Sequence, residues 1–188
     1  DTVTISKMAY GYSVELSPLQ ILMFYNGIAN GGKMISPLFV SEIRENGKVI
    51  ETFESNVVKS SMCDGSTLEG IRGCLHDVVW DNELGTASVN PWGTRKAQSD
   101  VVIIAGKTGT AQVLESGYHN TRHRMSFVGY FPEENPQYSC ICVIHAPKWP
   151  YDSGLDCGGV VRQVAEKTMA YAGEYVYKKK EKILVVNK

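Results

Sequence analysis

Apolar residues recur along this chain in two rhythms. After Ser17-Pro18, Ile21, Phe24, Tyr25 and Ile28 fall three or four apart, the spacing of one helical face. Ser17 offers a capping hydroxyl, Pro18 suits the first helical position, and Gly31-Gly32 stops the run. Leu22, Met23 and Ala29 lie off that stripe, which predicts a helix buried on more than one side. Two β-prone runs follow, Phe39 to Arg44 and Val49 to Phe53, with the hairpin dipeptide Asn46-Gly47 between them. The helical rhythm returns at Leu68, Ile71, Leu75, Val78 and Val79, and Ser66 with Glu69 has the form of a capping box at its start. His76 falls on the polar side of that helix, so it reads as a solvated surface histidine.

Residues 81–100 are rich in Gly, Asn, Ser, Thr and Pro and predict a loop. Three strand candidates then succeed one another at 101–112, 125–131 and 138–145. In the second, Phe127 and Phe131 oppose Val128 and Tyr130; in the third, Cys140, Cys142 and Ile144 oppose Ile141 and Val143. Two apolar faces predict a sheet covered by helices on both sides. A last helix at about 158–172 would turn Val161, Val164, Ala165, Thr168 and Ala172 inward. Lys178-Lys179-Lys180 marks residues 176–188 as a basic tail beyond a unit of residues 1–175.

The 188 residues suffice for one sizeable core, and 43 % apolar with 21 % charged residues is ordinary for a globular protein. A net charge of −1 argues against nucleic acid as a partner. No apolar run approaches the length that crosses a bilayer, and the first residues do not resemble a signal peptide. Five cysteines, with no CxxC pair, read as small apolar residues, and Cys140 and Cys142 project to one face without being able to bridge each other. No metal is expected: His119 and His123 are four apart but in loop-like sequence, and His145 with the strand cysteines lacks ligand spacing. No cofactor is expected either.

Gly106-Lys107-Thr108-Gly109-Thr110-Ala111-Gln112 leaves the β-branched run Val101 to Ile104. Gly-Lys-Thr suggests a phosphate-binding loop, but that motif needs a glycine five residues before Gly106, where Val101 stands, and a helix after the lysine. A strand edge for an anionic peptide accounts for more of these residues. Gly109 lets a ligand backbone approach closely, and an extended peptide can add to the edge through main-chain hydrogen bonds. Thr108 and Thr110 share a face and offer hydroxyl donors to a carboxylate, with the Lys107 charge beside them. Backbone N–H groups there also suit an oxyanion. An ordinary strand with a snorkelling lysine is the structural alternative.

KTGTAQ at 107–112 resembles the K-T-G signature of the penicillin-binding transpeptidases. More of the chain is similar to their class B, monofunctional members. AYGYSVELSPLQILMFYNGIANGGKMI at 9–35 resembles their YGY…TPLQ…YxxIANGG segment, closer to the septal, division type than to the elongation type. LEGIRGCLHDVVWDNELGTA at 68–87 resembles the helix and GTA turn before KTG, and SFVGYFP at 126–132 the strand after it. The likeness runs from about residue 8 to 172.

That resemblance implies an α+β fold, an antiparallel sheet flanked by helices as in β-lactamases and transpeptidases, here as an incomplete domain. It implies a serine-type peptidoglycan D,D-transpeptidase that binds the D-Ala-D-Ala stem peptide and β-lactams. Lys107 and Thr110 would be catalytic, through proton transfer and an oxyanion-hole N–H; Thr108, Gly109 and Gln112 would bind substrate. Trp149 and Tyr151 fall where the family carries aromatics that wall the site. The implied location is the cytoplasmic membrane, catalytic domain outside, with division proteins as partners.

One signature is missing. No serine here has lysine three residues later, so the S-x-x-K nucleophile is absent, and Ser88-Val89-Asn90 lies too close to Lys107 to be the family's S-x-N. The chain therefore reads as the C-terminal half of the domain, inactive alone and needing the N-terminal half of the same protein. A D,D-carboxypeptidase, a β-lactamase-like enzyme or a non-catalytic module derived from this fold are the alternatives.

Overall fold

A computed structural model describes residues 2–9, 11, 14–114, 121–172, 175–179 and 182–186. Helix α1 (Thr2–Ala9), which the periodicity does not predict, buries none of its residues. Helix α2 (Pro18–Ala29) begins where the capping signal puts it. Ser17 Oγ accepts the Gln20 N–H, and the Gln20 side chain accepts the Ser17 N–H in return. Burial is confined to its last turn, Gly27 to Ala29; Phe24 is exposed, so the expectation of a helix buried on several sides fails for the earlier turns.

Strand β1 (Met34–Ile35) pairs antiparallel with β4 (Val57–Lys59). Between them, β2 (Glu42–Glu45) and β3 (Lys48–Thr52) form the expected hairpin. Asn46 and Gly47 take φ of 49° and 81°, the left-handed pair that a tight hairpin turn demands.

Helix α3 (Gly65–Trp80) starts earlier than the Ser66–Glu69 pattern predicts, because Asp64 is the cap. Its carboxylate accepts the Thr67 N–H at 2.7 Å and the hydroxyls of Ser66 and Thr67. A charged cap also meets the positive end of the helix dipole, which a serine cannot match. The Thr67 N–H first, then the two hydroxyls, hold the Asp64 carboxyl down at about 2. A depressed folded value makes the cap's stabilisation fully present above the unfolded carboxylate range, and it is lost as pH falls through about 2. Asp64→Ala is thus expected to lower the melting temperature at pH 7, by an amount that shrinks between about pH 4 and pH 2. A deficit constant over that range would refute the charged cap.

The predicted stripe of α3 faces inward: Leu75 and Val79 are buried, with Leu68, Ile71 and Val78 packed against the core. His76 is not simply solvated. Its Nδ1 lies 2.7 Å from Glu133 Oε2, and its ring stacks on Trp80. Arg72 donates to the carbonyls of Ile28 and Ala29, tying α3 to the C-terminal end of α2.

The apolar run at 101–104 is buried in part but is not strand; β5 covers Ala105–Leu114. Its partner explains the late start. Ala105 lies opposite Tyr130 of β6 (Thr121–Phe131), and one residue beyond that strand stands Pro132, which has no N–H to continue the ladder. Strand β7 (Tyr138–His145) completes an antiparallel sheet in the order β5-β6-β7, with β5 at an edge among the described residues.

Both sheet faces are apolar and covered, as predicted. Met125, Phe127 and Phe131, with Cys140, Cys142 and Ile144, pack against a π-helical turn (Gly154–Gly158) and helix α4 (Gly159–Ala172) through Cys157, Val161, Ala165 and Met169. On the other face, Ala105 and Tyr130 pack against Ile28, Ala29 and Leu75 of α2 and α3. The α+β arrangement of an antiparallel sheet between helices is therefore the observed fold. Within α4, Val164 and Ala172 are exposed and Met169 is buried, so the inward line is Val161–Ala165–Met169. Cys157 is fully buried, and burial first, then the Cys142 thiol beside it, push its thiol up to about 12. Cys74, by contrast, is exposed. Within the segment expected as a basic tail, β8 (Tyr175–Lys179) pairs with β9 (Lys182–Val186).

Candidate active site

Strand register sorts the lysine strand into two faces. Thr108, Thr110 and Gln112 lie opposite Phe127, Met125 and His123, on the side of the sheet that carries α4. Lys107 and Gly109 lie opposite Val128 and Ser126, on the other side. Lys107 is exposed, and its Nζ turns back to donate to its neighbour's carbonyl, Thr108 O, at 2.8 Å. A Cβ on Gly109 would lie 2.6 Å from Ser126 Oγ, so a side chain there would have to turn that hydroxyl aside.

The two threonines differ. Thr108 is only 8 % exposed, and its hydroxyl meets the Thr86 hydroxyl at 2.7 Å. Thr110 is exposed and donates to Ser153 Oγ at 3.2 Å. Thr86 belongs to the turn Gly85-Thr86-Ala87 that follows α3. The Gly85 N–H donates to Asp81 O and the Ala87 N–H to Val78 O, and a Cβ on Gly85 would strike backbone carbonyls of that helix end. This turn delivers the Thr86 hydroxyl to the strand.

From the other side comes the segment before α4. Tyr151 OH lies 2.6 Å from His123 Nδ1, with the rings tilted together. Asp152 pairs with Lys96 at 2.7 Å. Burial would raise the Asp152 carboxyl, but the Lys96 ammonium and the N–H groups of Leu155 and Gly154 outweigh it and hold the carboxyl below its usual range. Trp149 is 84 % exposed.

One aromatic ring fixes how closely these parts approach. Gly106 and Gly129 face each other across the β5–β6 ladder, and a Cβ on either would fall within about 3 Å of the Phe127 ring. A Cβ on Gly158 would lie 3.5 Å from the same ring on the α4 side. Phe127 is fully buried in this slot, where it joins the lysine strand to the start of the last helix.

The structure thus gathers Lys107, Thr108, Gly109, Thr110 and Tyr151 near one strand, leaves Gln112 at its exposed end opposite His123, and holds Trp149 out in solvent. Thr86, Ser153 and His123 were not singled out from the sequence as partners of this strand. Only Thr86 carried a signal, through the GTA turn. Ser88 is buried, with its hydroxyl on Gly85 O, so its S-x-N spacing serves the turn. His119 lies outside the described residues; among those described, no three His, Cys, Asp or Glu side chains cluster as metal ligands.

Comparison with known proteins gives one consistent outcome. The family model described as penicillin binding protein transpeptidase domain matches residues 1–170. A protein of Mesostigma viride named peptidoglycan D,D-transpeptidase FtsI homolog is 31% identical over an alignment of 173 residues that covers 84% of this chain and 27% of that protein. Stage V sporulation protein D of Bacillus subtilis (strain 168) is 29% identical over 142 residues, 74% of this chain and 20% of its own length. Among solved structures, penicillin binding protein 2X from Streptococcus thermophilus superposes with a TM-score of 0.78 at 24% identity, over 90% of this chain and 25% of that one. The chain thus spans a minor part of each of these relatives.

Proposed function

Because this chain belongs to the penicillin binding protein transpeptidase domain family, we propose that it forms the lysine-strand wall of a peptidoglycan D,D-transpeptidase whose nucleophile lies in another segment of the same protein. The observation that carries this function is the edge of β5, where the Lys107 ammonium and the Thr110 hydroxyl stand exposed on a strand with no further partner among the described residues. An extended stem peptide ending in D-Ala-D-Ala adds to that edge by main-chain hydrogen bonds. Thr110 holds its terminal carboxylate, Thr108 lies buried beneath it on Thr86, Gly109 leaves room for its backbone, and Gln112, Tyr151 and Trp149 border its length. The attacking serine oxygen forms a bond to the penultimate carbonyl, the oxyanion is met by the Thr110 N–H, and the C–N bond to the last D-alanine breaks. Lys107 stabilises the negative charge and passes protons within the site. An amine of a second stem peptide then displaces the serine, which completes the cross-link.

Exposed apolar residues support a missing covering segment. Val3, Ile5, Leu19 and Phe24 on α1 and α2, and Phe39, Val40 and Ile50 around the β2–β3 hairpin, are all open to solvent. Such a surface fits the N-terminal half of the same domain better than water. Among the described residues no helix is long and apolar enough to cross a membrane. A membrane anchor elsewhere in the protein, with this domain on the outer side of the membrane, and division proteins as partners belong to the same proposal.

The test is covalent labelling with fluorescent penicillin. The 188-residue chain alone is expected to form no adduct, while the protein that joins it to its S-x-x-K segment is labelled on that serine. A stable adduct on the chain alone overturns the proposal.

A further inference from the structure

Ser153 stands at the start of the π-helical turn, where a serine hydroxyl ordinarily caps the first free N–H groups. Here it makes no capping bond. Asp152 caps instead, its Oδ1 accepting the N–H of Gly154 at 2.8 Å and of Leu155 at 3.0 Å. Relieved of capping, Ser153 Oγ accepts the hydroxyl of Thr110, 43 positions away in sequence, at the exposed strand edge. Thr110 donates to Ser153, so the O–H of this pair that is free to donate is the one on Ser153.

We propose that Ser153, together with Thr110, forms the hydroxyl pair that holds the terminal carboxylate of the acyl-donor peptide, and the equivalent carboxylate of a penicillin. This rests on the assignment of Thr110 as a carboxylate ligand made above. The Thr108 hydroxyl is buried and engaged by Thr86, so the two hydroxyls presented at the edge are Thr110 and Ser153. A carboxylate has about four lone-pair sites; it accepts from Ser153 first, and from Thr110 as well once the Thr110–Ser153 bond opens. Hydrogen bonds to a charged acceptor are roughly twice as strong as neutral ones.

The backbone around Ser153 is held from three directions. Tyr151 is bonded to His123, and Asp152 to Lys96, whose ammonium also donates to Thr86 O at 3.2 Å. Gly154 lies so close to the Thr86 carbonyl that a side chain there has no room. The hydroxyl pair is therefore preorganised, which lowers the ordering cost of binding. The negative charge of Asp152, which would repel a carboxylate, is neutralised by Lys96.

The measurement is the second-order rate of acylation of the full enzyme, this chain with its serine-bearing segment, by benzylpenicillin and by its methyl ester. Ser153→Ala is expected to slow acylation by the free acid about 10- to 100-fold, the size of a hydrogen bond to a charged group. The ester rate should stay within about 3-fold, and Ser153→Thr should restore the acid rate. Thr110→Val separates the two claims. If it leaves the acid-to-ester ratio intact, the carboxylate role of Thr110 fails; if it collapses the ratio and Ser153→Ala does not, only Ser153 is excluded. Should Ser153→Ala lose ester acylation as well, through misfolding, the same ratio is read on Ser153→Cys, a near-isosteric but weak donor. A lowered ratio supports the pair, and an unchanged ratio overturns it.

Discussion

Lys107→Met in the full enzyme is expected to lower the second-order rate of acylation by penicillin about 10²- to 10⁴-fold, the span typical of losing a positioned proton-transfer group. Methionine keeps the length and the apolar stem and removes only the ammonium. The side chain is exposed and its ammonium donates to the adjacent Thr108 carbonyl, so folding stability should change by less than about 0.5 kcal/mol. Activity and stability therefore part company in this variant. Lys107→Arg should recover only part of the loss, because a planar guanidinium cannot occupy the place of a compact ammonium. Stopped-flow acylation and a thermal melt on the same preparation check both halves. A rate within about 3-fold of the parent would remove Lys107 from the chemistry.

Gly106→Ala acts in the opposite way, through the fold. The added methyl group would lie 2.5 Å from the Val128 carbonyl and 2.6 Å from the edge of the Phe127 ring. Neither can yield freely: the carbonyl belongs to the β5–β6 ladder and the ring is fully buried. Overpacking of this kind costs about 3 kcal/mol or more when backbone must move. For a domain of this size that is a fall in melting temperature of roughly 6–12 °C. Phe127→Leu added to Gly106→Ala should recover a part of it, since leucine vacates the ring edge but leaves the carbonyl clash. A melting temperature within about 1 °C of the parent for Gly106→Ala would show that the strands do not approach as closely as described.

Much of this arrangement could be read from the chain because local chemistry and tertiary need coincide. Ser17-Pro18 starts a helix by hydrogen bonds it makes within four residues, and Asn46-Gly47 turns a hairpin by its own left-handed preference. The alternation of Phe127, Val128, Tyr130 and Phe131 gave both sheet faces correctly. Where two local candidates competed, pattern alone chose badly. Ser66–Glu69 has the form of a capping box, yet Asp64 wins because one carboxylate serves an N–H and two hydroxyls. Val101 to Ile104 are hydrophobic enough for a strand, but strand needs a partner, and Pro132 ends it. Hydrophobicity reports burial and is silent on pairing. The same limit explains α4, where Val164 and Met169 both fit an amphipathic count and only contact with the sheet selects Met169.

The site was legible to the same extent. Lys107, Gly109 and Thr110 announce themselves by type and spacing in a single strand. Ser153, Thr86 and His123 do not, because each acquires its meaning from a residue far away in sequence: Thr110, Thr108 and Tyr151. A lone serine before a helix signals a cap and nothing else, and here an aspartate had already taken that place.

The Phe127 ring between Gly106, Gly129 and Gly158 has a consequence for how this domain meets heat. Most packed gaps are bounded by side chains that can exchange rotamers and so widen by degrees. This one is bounded by a rigid plate on one side and bare backbone on the other. The ring sits hard against the lysine strand at Gly106 and Gly129 and at ordinary contact distance from the start of the last helix, so it couples the two. On heating, the lysine strand and the start of the last helix are therefore expected to part together, in the same transition as the core around the ring.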